Sequence, residues 1–113
     1  MTKYLFYIYA NAYLYIIIIN DTAMTTSEKI QEVKRMLVTY VNADKWNNNS
    51  QMGLKDQMLS VVEDVRLANL GFASEIAATV GKYERCSEKQ AYWIAKTAVE
   101  NNLTSRIDYQ FEN

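Results

Sequence analysis

Two capping boxes, each followed by apolar residues at helical spacing, constrain the fold of this chain more than any other feature. In the clearer one, the Ser87 hydroxyl can accept from a free amide of the first turn, and Gln90 can reach back to the serine amide. The apolar residues that follow share one side of a helix: Ala91, Ile94, Ala95, Ala98 and Val99. This pattern predicts a helix that begins after Ser87 and runs to about Asn101 or Asn102.

A second capping box joins Thr25 to Glu28. The apolar residues after it have the spacing of an amphipathic helix: Ile30, Val33, Leu37, Tyr40 and Val41. The chain contains no proline, so nothing in its composition forbids long helices. We therefore predict a helix over residues 26–42.

Two further apolar stripes predict two more helices. The first stripe covers residues 54–70, and Gly71 is predicted to supply the left-handed position that ends this helix. Its members are Leu54, Met58, Val61, Val62, Val65 and Ala68. The second stripe predicts a short helix that ends at Gly81, with residues 82–86 as the connector to the Ser87-capped helix. Its members are Phe72, Ile76, Ala77 and Val80.

The last residues of the chain have a different pattern. Ile107, Tyr109 and Phe111 alternate with polar residues, which predicts an extended segment with one apolar face. We prefer packing of this segment on the helices over pairing with a partner edge or a disordered tail. The 113 residues suit one domain. The predicted fold class is mainly α, a small bundle of about four helices with an extended C-terminal segment, over residues 24–113.

Residues 1–23 form an apolar leader with three interpretations. Residues 4–19 are almost entirely apolar but slightly shorter than the stretch of about 20 that a membrane span needs. A signal peptide fits the length, although residues 20–23 (NDTA) make a poor cleavage site. The third interpretation is that translation begins at Met24, because an A/T-rich upstream region would encode this composition. We favour an over-extended start or a dispensable leader over a membrane anchor or a packed segment.

The chain lacks the residues that most enzymes and metal sites use. It has no histidine, which excludes His-based acid–base catalysis, Ser-His and Cys-His nucleophiles and nearly every zinc site. Its one cysteine, Cys86, is interpreted as a half-buried structural thiol in a reducing compartment. The adjacent Glu63 and Asp64 point about 100° apart on a helix and cannot form a carboxylate pair. We expect a protein that is not an enzyme and has no metal or cofactor site.

The candidate binding residues are aromatic side chains flanked by cations. On the last helix they lie at i, i+3, i+4 and i+7, and others lie just upstream. Such combinations hold single-stranded nucleic acid, because rings stack on bases and cations meet phosphates. Packing of Tyr92 or Trp93 into the core is the preferred alternative, and Glu84 and Glu88 dilute the positive charge. The predicted partner-binding residues are Trp46, Lys82, Tyr83, Arg85, Lys89, Tyr92, Trp93 and Lys96.

Trp46 stands apart from the other candidates because it begins an asparagine-rich passage. Residues 44–53 (DKWNNNSQMG) predict a loop, since asparagine, serine and glycine favour turns over helices. The tryptophan is either a cap over the helix hairpin or an exposed anchor for a partner. Packing is the preferred interpretation, because tryptophan usually buries a large area.

Three short motifs resemble a small helical module found in many phage-encoded and mobile-element proteins. They are Phe72-Ala73-Ser74, then Cys86-Ser87-Glu88-Lys89-Gln90, and then Trp93-Ile94 with Lys96. The module usually has a phenylalanine–serine helix, a G-x-LS-x-KQ cap and a helix that opens with an aromatic or aliphatic pair and a lysine. Here Cys86 stands where leucine is commoner, and Gly81 falls earlier, so the loop is longer. The resemblance implies a mobile-element setting rather than one particular activity.

Two hypotheses of different classes follow. The first is a phage- or prophage-borne inhibitor that blocks a host defence nuclease by direct binding, as anti-CRISPR proteins do. The second is a nucleic-acid-binding accessory of phage replication or recombination. The net charge of −1 favours the first, because affinity for nucleic acid comes mainly from phosphate neutralisation. A membrane-anchored small protein is a third hypothesis, which depends on residues 1–23 being a true anchor.

The expected partners follow from these hypotheses. They are a host nuclease or another protein target, nucleic acid under the second hypothesis, and a membrane only under the third. A homodimer is compatible with exposed apolar residues on short helices. The expected location is the cytoplasm of the host cell.

Overall fold

The computed structural model describes residues 24–43 and 52–111. Within them the chain forms four α-helices, which are α1 (Thr26–Met36), α2 (Met52–Ala68), α3 (Phe72–Tyr83) and α4 (Glu88–Glu100), and no strand. The predicted mainly α fold, a small helical bundle, is confirmed. The interpretations of residues 1–23, the environment of Trp46 and most of the predicted loop over residues 44–53 lie outside the described residues.

Both predicted capping boxes are formed. The Thr25 hydroxyl accepts from the Glu28 amide at 3.1 Å, and the Glu28 carboxylate accepts from the Thr25 amide at 2.9 Å. Ser87 and Gln90 make the same two bonds, at 3.1 and 2.9 Å. The bond from the Thr25 amide also lowers the pKa of Glu28. Each pair provides acceptors for two backbone amides at the exposed start of a helix, so α1 and α4 begin where the sequence predicts.

The first helix continues as a π-helical turn over Leu37–Val41. The helix predicted over residues 26–42 is therefore present, with its last part more widely wound than an α-helix. Leu37 and Val41 remain buried through this turn. The carbonyls at its end have no further helical turn to accept from, which leaves them available to side chains from elsewhere in the fold.

The core lies where the four apolar stripes meet. α1 packs against α4, α2 packs against α3, and α3 also packs against α4. Most predicted stripe residues are buried or partly buried, but Ala68, the last residue of α2, and Phe72, the first residue of α3, are exposed. The buried apolar residues are Ile30, Val33, Met36, Leu37, Val41, Met58, Val61, Val62, Val65, Ala73, Ala77, Val80, Cys86, Ala91, Ile94, Ala95, Ala98 and Ile107.

The predicted roles of two glycines are wrong. Gly71 does not end α2, because Asn69 adopts the left-handed backbone there (φ 54°), and Gly71 (φ 70°) instead precedes α3 as its N-cap. Gly81 does not end α3 either. The helix continues to Tyr83, and Glu84 takes the left-handed position (φ 52°), with its amide bonded to the Val80 carbonyl at 2.8 Å. The connector before α4 is therefore shorter than predicted.

The C-terminal segment packs on the helices as predicted but is not extended. Asn102 (φ 57°) ends α4, and the chain then turns and forms a 3₁₀-helix over Asp108–Phe111. Ile107 is buried, Phe111 packs against the core, and Tyr109 is exposed. The alternation of apolar residues correctly marked a segment with one apolar side, but it did not establish a strand.

Hydrogen bonds to one carboxylate explain why this segment folds back. The Lys29 ammonium donates to Asp108 at 2.7 Å, and the Thr104 hydroxyl donates to the same carboxylate at 2.7 Å. Burial works to raise the pKa of Asp108, but these two bonds more than offset it, so its pKa lies below the ordinary value. The segment is thereby tied to α1.

Among the described helices, none combines the length and the apolar character that crossing a membrane requires.

Candidate functional site

The short turn between α3 and α4 is held by hydrogen bonds from the side chain of Asn42, which follows the π-helical turn. Its side-chain amide donates to the Cys86 carbonyl at 2.8 Å, and its side-chain oxygen accepts from the Cys86 amide at 2.9 Å. The same amide also donates to the Val38 carbonyl at 2.8 Å. One side chain therefore satisfies backbone groups of both this turn and the π-helical turn, which holds the two in a fixed relation.

Lys55 makes a second connection to the same turn. Its side chain is 1% exposed, and its ammonium donates to the Val41 carbonyl at 2.6 Å and to the Ala43 carbonyl at 3.1 Å. The Glu84 carboxylate lies 3.6 Å from the ammonium. A buried charge is retained only where it is paired and hydrogen-bonded, and both conditions hold here. Lys55 thus joins the end of α1, the start of α2 and the end of α3.

Above this network lies a set of side chains that we call the basic turn, consisting of Lys82, Tyr83, Arg85 and Lys89. All four are exposed, and Tyr83 retains 63% of its accessible surface. The Lys82 ammonium lies 5.2 Å from the centre of the Tyr83 ring, within the range of a cation–π contact. The Arg85 guanidinium donates to the Glu84 carbonyl. These side chains contribute little to the core, although the backbone that carries them is firmly held.

The carboxylates near the basic turn pair with lysines outside it. Glu84 pairs with the buried Lys55, and Glu88 lies 3.8 Å from Lys34 on α1. Lys96 differs from the cations of the basic turn, because its ammonium bonds to Glu100 at 2.6 Å, which raises the pKa of Lys96. Lys55 therefore pairs with Glu84 below the turn, whereas the Glu88 side chain, which is 80% exposed, stays beside the cations of the basic turn.

A second surface, which we call the aromatic patch, consists of Leu67, Leu70, Phe72, Tyr92 and Trp93. Leu67 and Phe72 are 64% and 62% exposed, and Leu70 is also exposed. The Phe72 and Trp93 rings meet edge to face with centres 5.9 Å apart, and Trp93 meets Tyr92 in the same way at 5.4 Å. Such aromatic geometry is favourable. The patch therefore presents ordered apolar side chains to solvent.

The turn that carries Leu70 and leads into Phe72 is rigidly held. The buried Ser74 hydroxyl donates to the Val65 carbonyl at 2.7 Å and accepts from the Leu70 amide at 2.6 Å. The left-handed Asn69 and Gly71 on either side of Leu70 sharpen the turn. Leu70 and Phe72 are thus positioned by buried hydrogen bonds, so a partner would meet a surface that needs little ordering.

The rings of the aromatic patch and the basic turn form one face of the α3–α4 pair, and Leu67 lies outside this face on α2. Tyr83 follows Phe72 by eleven residues, which is close to three helical turns, so both project from the same side of α3. Lys89 precedes Trp93 by four residues and therefore lies one turn before it on α4. The face thus has apolar and aromatic side chains at one end and cations at the other.

The predicted partner-binding residues fall into four groups. Lys82, Tyr83, Arg85 and Lys89 form the basic turn, and Tyr92 and Trp93 belong to the aromatic patch. Tyr92 also packs against the core, so one part of its side chain is buried and the other part is exposed. Lys96 lies on the same helix but is paired with Glu100. Trp46 lies outside the described residues.

Sequence reasoning missed three members of the aromatic patch and the residues beneath the basic turn. Leu67 had a usable signal, because it lies two residues after Val65 and therefore about 200° around the helix from the apolar stripe. Phe72 had been interpreted as part of the stripe of α3, yet it is mostly exposed. Lys55 and Asn42 gave no signal, since their partners are distant in the sequence.

The described residues offer little for covalent or metal chemistry. Burial raises the pKa of the Cys86 thiol to about 11, so the thiolate is scarce at neutral pH and a reactive cysteine is disfavoured. No group of three or more potential metal ligands occurs in residues 24–43 and 52–111.

Two surface clefts do not resemble small-molecule sites. One, of about 240 Å³, has a single apolar side chain in its lining, which is formed by Gln31, Lys34, Arg35, Val38, Thr39 and Glu88. The other, of about 380 Å³, lies between α2 and α3 and is bordered by the ion pair of Glu63 and Arg66. Ligand pockets are usually lined mainly by apolar and aromatic side chains. The α3–α4 face is therefore the stronger candidate site.

Comparison of the chain with protein-family models, with curated proteins and with solved structures finds no match.

Proposed function

We propose that this chain acts by binding a protein partner through the aromatic patch, and that the partner is a host defence nuclease that the binding inhibits. The observation that carries the proposal is the exposure of Phe72, which meets Trp93 edge to face and directly follows a turn fixed by buried hydrogen bonds. An ordered apolar surface of this kind marks an interaction site more often than a scattered exposed leucine does.

The composition of the patch also suits a protein interface. Tryptophan and tyrosine are enriched among the residues that dominate binding energy, and apolar neighbours exclude water around them. Removing a leucine or phenylalanine side chain from water contributes about 1.5–3 kcal/mol when burial is complete. Two such side chains, together with the edges of Trp93 and Tyr92, can support specific binding without a large interface.

The inhibitory role and the nuclease target rest on different support. The motifs over residues 72–96 resemble a module of phage and mobile-element proteins, a setting in which small proteins that block host defence occur. The absence of histidine leaves the chain without common catalytic equipment, which favours action by occlusion. Net charge of −1 gives no general attraction to nucleic acid, so contact with a protein surface is the better explanation.

A cleavage assay tests this proposal. Purified bacterial defence nucleases, including RNA-guided ones and restriction endonucleases, are each incubated with plasmid substrate and increasing amounts of the full chain. We expect inhibition of one nuclease at about one inhibitor per active site, and loss of that inhibition in F72D and L67D. Burying an unpaired carboxylate in an apolar interface is strongly unfavourable.

The matched control is Y109A, which removes an exposed aromatic ring from the C-terminal segment. We expect it to inhibit like the wild type. Inhibition that survives F72D and L67D would contradict the docking surface, and inhibition of none of the nucleases would contradict the proposed target class. Circular dichroism and thermal unfolding of each variant separate loss of contact from loss of fold.

Nucleic-acid binding in phage replication or recombination is the second candidate function. The specific observation in its favour is that the Lys82 ammonium lies 5.2 Å from the centre of the exposed Tyr83 ring, with the exposed cations Arg85 and Lys89 a few residues further along the chain. Phosphate-driven binding to labelled single-stranded DNA should weaken strongly between about 50 and 200 mM salt. It should also weaken more in K89A than in K96A, because Lys96 is already paired with Glu100.

A further inference from the structure

We propose that the partner segment bound on the α3–α4 face is acidic at one end and carries an apolar anchor at the other. This inference rests on the proposed protein-binding function and specifies the chemistry of the partner. The anchor would contact the aromatic patch, and the acidic end would contact the basic turn. The arguments come from the charges, the spacing and the rigidity of that face.

The charge at the basic turn is not balanced from within the described fold. Lys82, Arg85 and Lys89 are exposed, and none of them forms an ion pair with a described carboxylate. Glu84 and Glu88 pair with Lys55 and Lys34 instead. Three exposed cations within residues 82–89 are complementary to a segment that supplies carboxylates.

The remaining acidic residues of the face lie away from the basic turn. Glu75 is exposed on α3, three residues after Phe72, and therefore belongs to the end of the helix that carries the aromatic patch. Glu100 is occupied by Lys96 near the end of α4. A partner segment that reversed its direction would place its acidic end near Glu75, which would be unfavourable. The charges therefore also select the direction of binding.

The spacing of the two surfaces sets the length of the partner segment. Phe72 and Tyr83 are eleven residues apart on one helix, a separation of about 16 Å at 1.5 Å per residue. A helical partner would span this distance in about eleven residues, and an extended one in about five. A single short segment can therefore reach both the aromatic patch and the basic turn.

Rigidity at both ends supports a built site. Ser74 fixes the turn that carries Leu70 and Phe72. Lys55 and Asn42 fix the turn that carries Tyr83 and Arg85. Glu84 adopts a left-handed backbone (φ 52°), which is unfavourable for a residue with a side chain and tends to persist where the surroundings impose it. Both ends are thus ordered before any partner arrives.

An acidic protein segment explains the whole face better than nucleic acid does. The cations and Tyr83 would suit a phosphate backbone and its bases. Leu70, in the turn that leads into Phe72, would have no role in such a complex, because leucine neither stacks on bases nor neutralises phosphate. An apolar anchor on a protein segment uses this leucine as well as the aromatic rings, and acidic side chains use the cations.

Fluorescence anisotropy with three labelled probes tests the inference on the full chain. The first probe is a helical peptide of about 15 residues with leucine and phenylalanine at one end and glutamates at the other. The second replaces every glutamate with lysine, and the third is a thymidine oligonucleotide of similar length. We expect the glutamate peptide to bind about ten-fold more tightly than the lysine peptide at low salt, with the difference shrinking as salt rises.

Two variants assign the ends of the site. The triple variant K82A/R85A/K89A should remove the preference for glutamate over lysine, whereas R106A, an exposed cation on the C-terminal segment, should leave it unchanged. F72A should weaken both peptides by a similar factor, because it removes the apolar contact common to them. These residues are exposed, so the variants should retain the helical circular dichroism of the wild type.

Each contrary result overturns the inference in a recognisable way. Equal affinity for both peptides, with F72A weakening both, would remove the acidic requirement and leave protein docking intact. Binding of the oligonucleotide alone, lost in the triple variant, would identify nucleic acid as the partner. Binding of no probe would also overturn the inference, while the nuclease assay, which needs no peptide, would still decide the proposed function.

Discussion

The side chain of Asn42 pairs with the backbone of Cys86 as a neighbouring strand would, donating to its carbonyl at 2.8 Å and accepting from its amide at 2.9 Å. The pairing joins residues that are 44 positions apart and fixes the turn between α3 and α4 against the end of α1. We expect N42A to lower the free energy of unfolding by about 2 kcal/mol, because both Cys86 backbone groups lose this partner. Urea denaturation measures the loss.

The control for this prediction is N101A. Asn101 also donates its amide to a backbone carbonyl, that of Thr97, but it lies at the exposed end of α4. Its replacement should change the free energy of unfolding by less than about 0.5 kcal/mol. An equal decrease in the free energy of unfolding in N42A and N101A would show that the contact with Cys86 stabilises the fold no more than an exposed hydrogen bond does.

Substitution of Lys55 should lower the free energy of unfolding more than substitution of Asn42 does. K55M keeps most of the side-chain volume but removes the charge that bonds to the Val41 and Ala43 carbonyls and pairs with Glu84. Breaking a buried pair in this way should lower the free energy of unfolding by about 3 kcal/mol, measured by urea denaturation. K34M removes a partner of the highly exposed Glu88 and should cost less than about 0.5 kcal/mol. A K55M protein as stable as the wild type would contradict this role.

Ser74 should link stability to the order of the aromatic patch. S74A removes the bonds to the Val65 carbonyl and the Leu70 amide and should lower the free energy of unfolding by about 1–2 kcal/mol. Hydrogen exchange at the Leu70 amide should also accelerate, because the turn would open locally. T79A removes a longer, exposed bond to the Glu75 carbonyl on the same helix and should change neither quantity. Unchanged exchange at Leu70 in S74A would show that other contacts hold the turn.

The thiol of Cys86 should be unreactive until the chain unfolds. Burial raises its pKa from 9.0 to about 11, so at pH 8 the folded protein should contain about 100-fold less thiolate than the unfolded chain. Reaction with a chromogenic disulfide, followed with and without urea, measures this difference. Comparable rates in both conditions would show that the thiol is accessible in the folded protein.

The same shift makes stability depend on pH in the alkaline range. Because the folded state keeps its proton up to about pH 11 and the unfolded state loses it near pH 9, the stabilising contribution is complete below pH 9.0 and disappears as pH rises to about 11. The urea midpoint of the wild type should therefore fall relative to that of C86A over this interval. Parallel curves for the two proteins would contradict the raised pKa.

The parts of the fold that the sequence predicts are those decided by neighbouring residues. Thr25 and Glu28, and Ser87 and Gln90, are three residues apart, so each cap can be recognised without knowledge of the rest of the chain. The apolar stripes have the same local character, because the period of the helix alone determines which residues share a side. Helix starts and core residues were therefore predictable.

The helix ends and the candidate site depend on distant contacts. Glycine at 71 and 81 suggested two helix ends, but the left-handed positions went to Asn69 and Glu84, the latter with Lys55 bonded to its carboxylate. The exposure of Phe72 depends on which parts of the fold pack against the first turn of α3, and no local pattern encodes that packing. The cations of the basic turn were predicted, but the ion pairs of Glu84 with Lys55 and of Glu88 with Lys34 were not.

The most direct test of the central claim is the plating efficiency of a phage on bacterial strains that are each restricted by one defence nuclease and express this chain. The wild-type chain should restore plating on one such strain, and the double variant L67D/F72D should return plating to the level of the empty vector. The variant should remain folded, since both side chains are mostly exposed. Two results would contradict the claim that the aromatic patch binds and inhibits a host nuclease. The double variant could restore plating as well as the wild type does, or the wild-type chain could fail to restore plating on every strain.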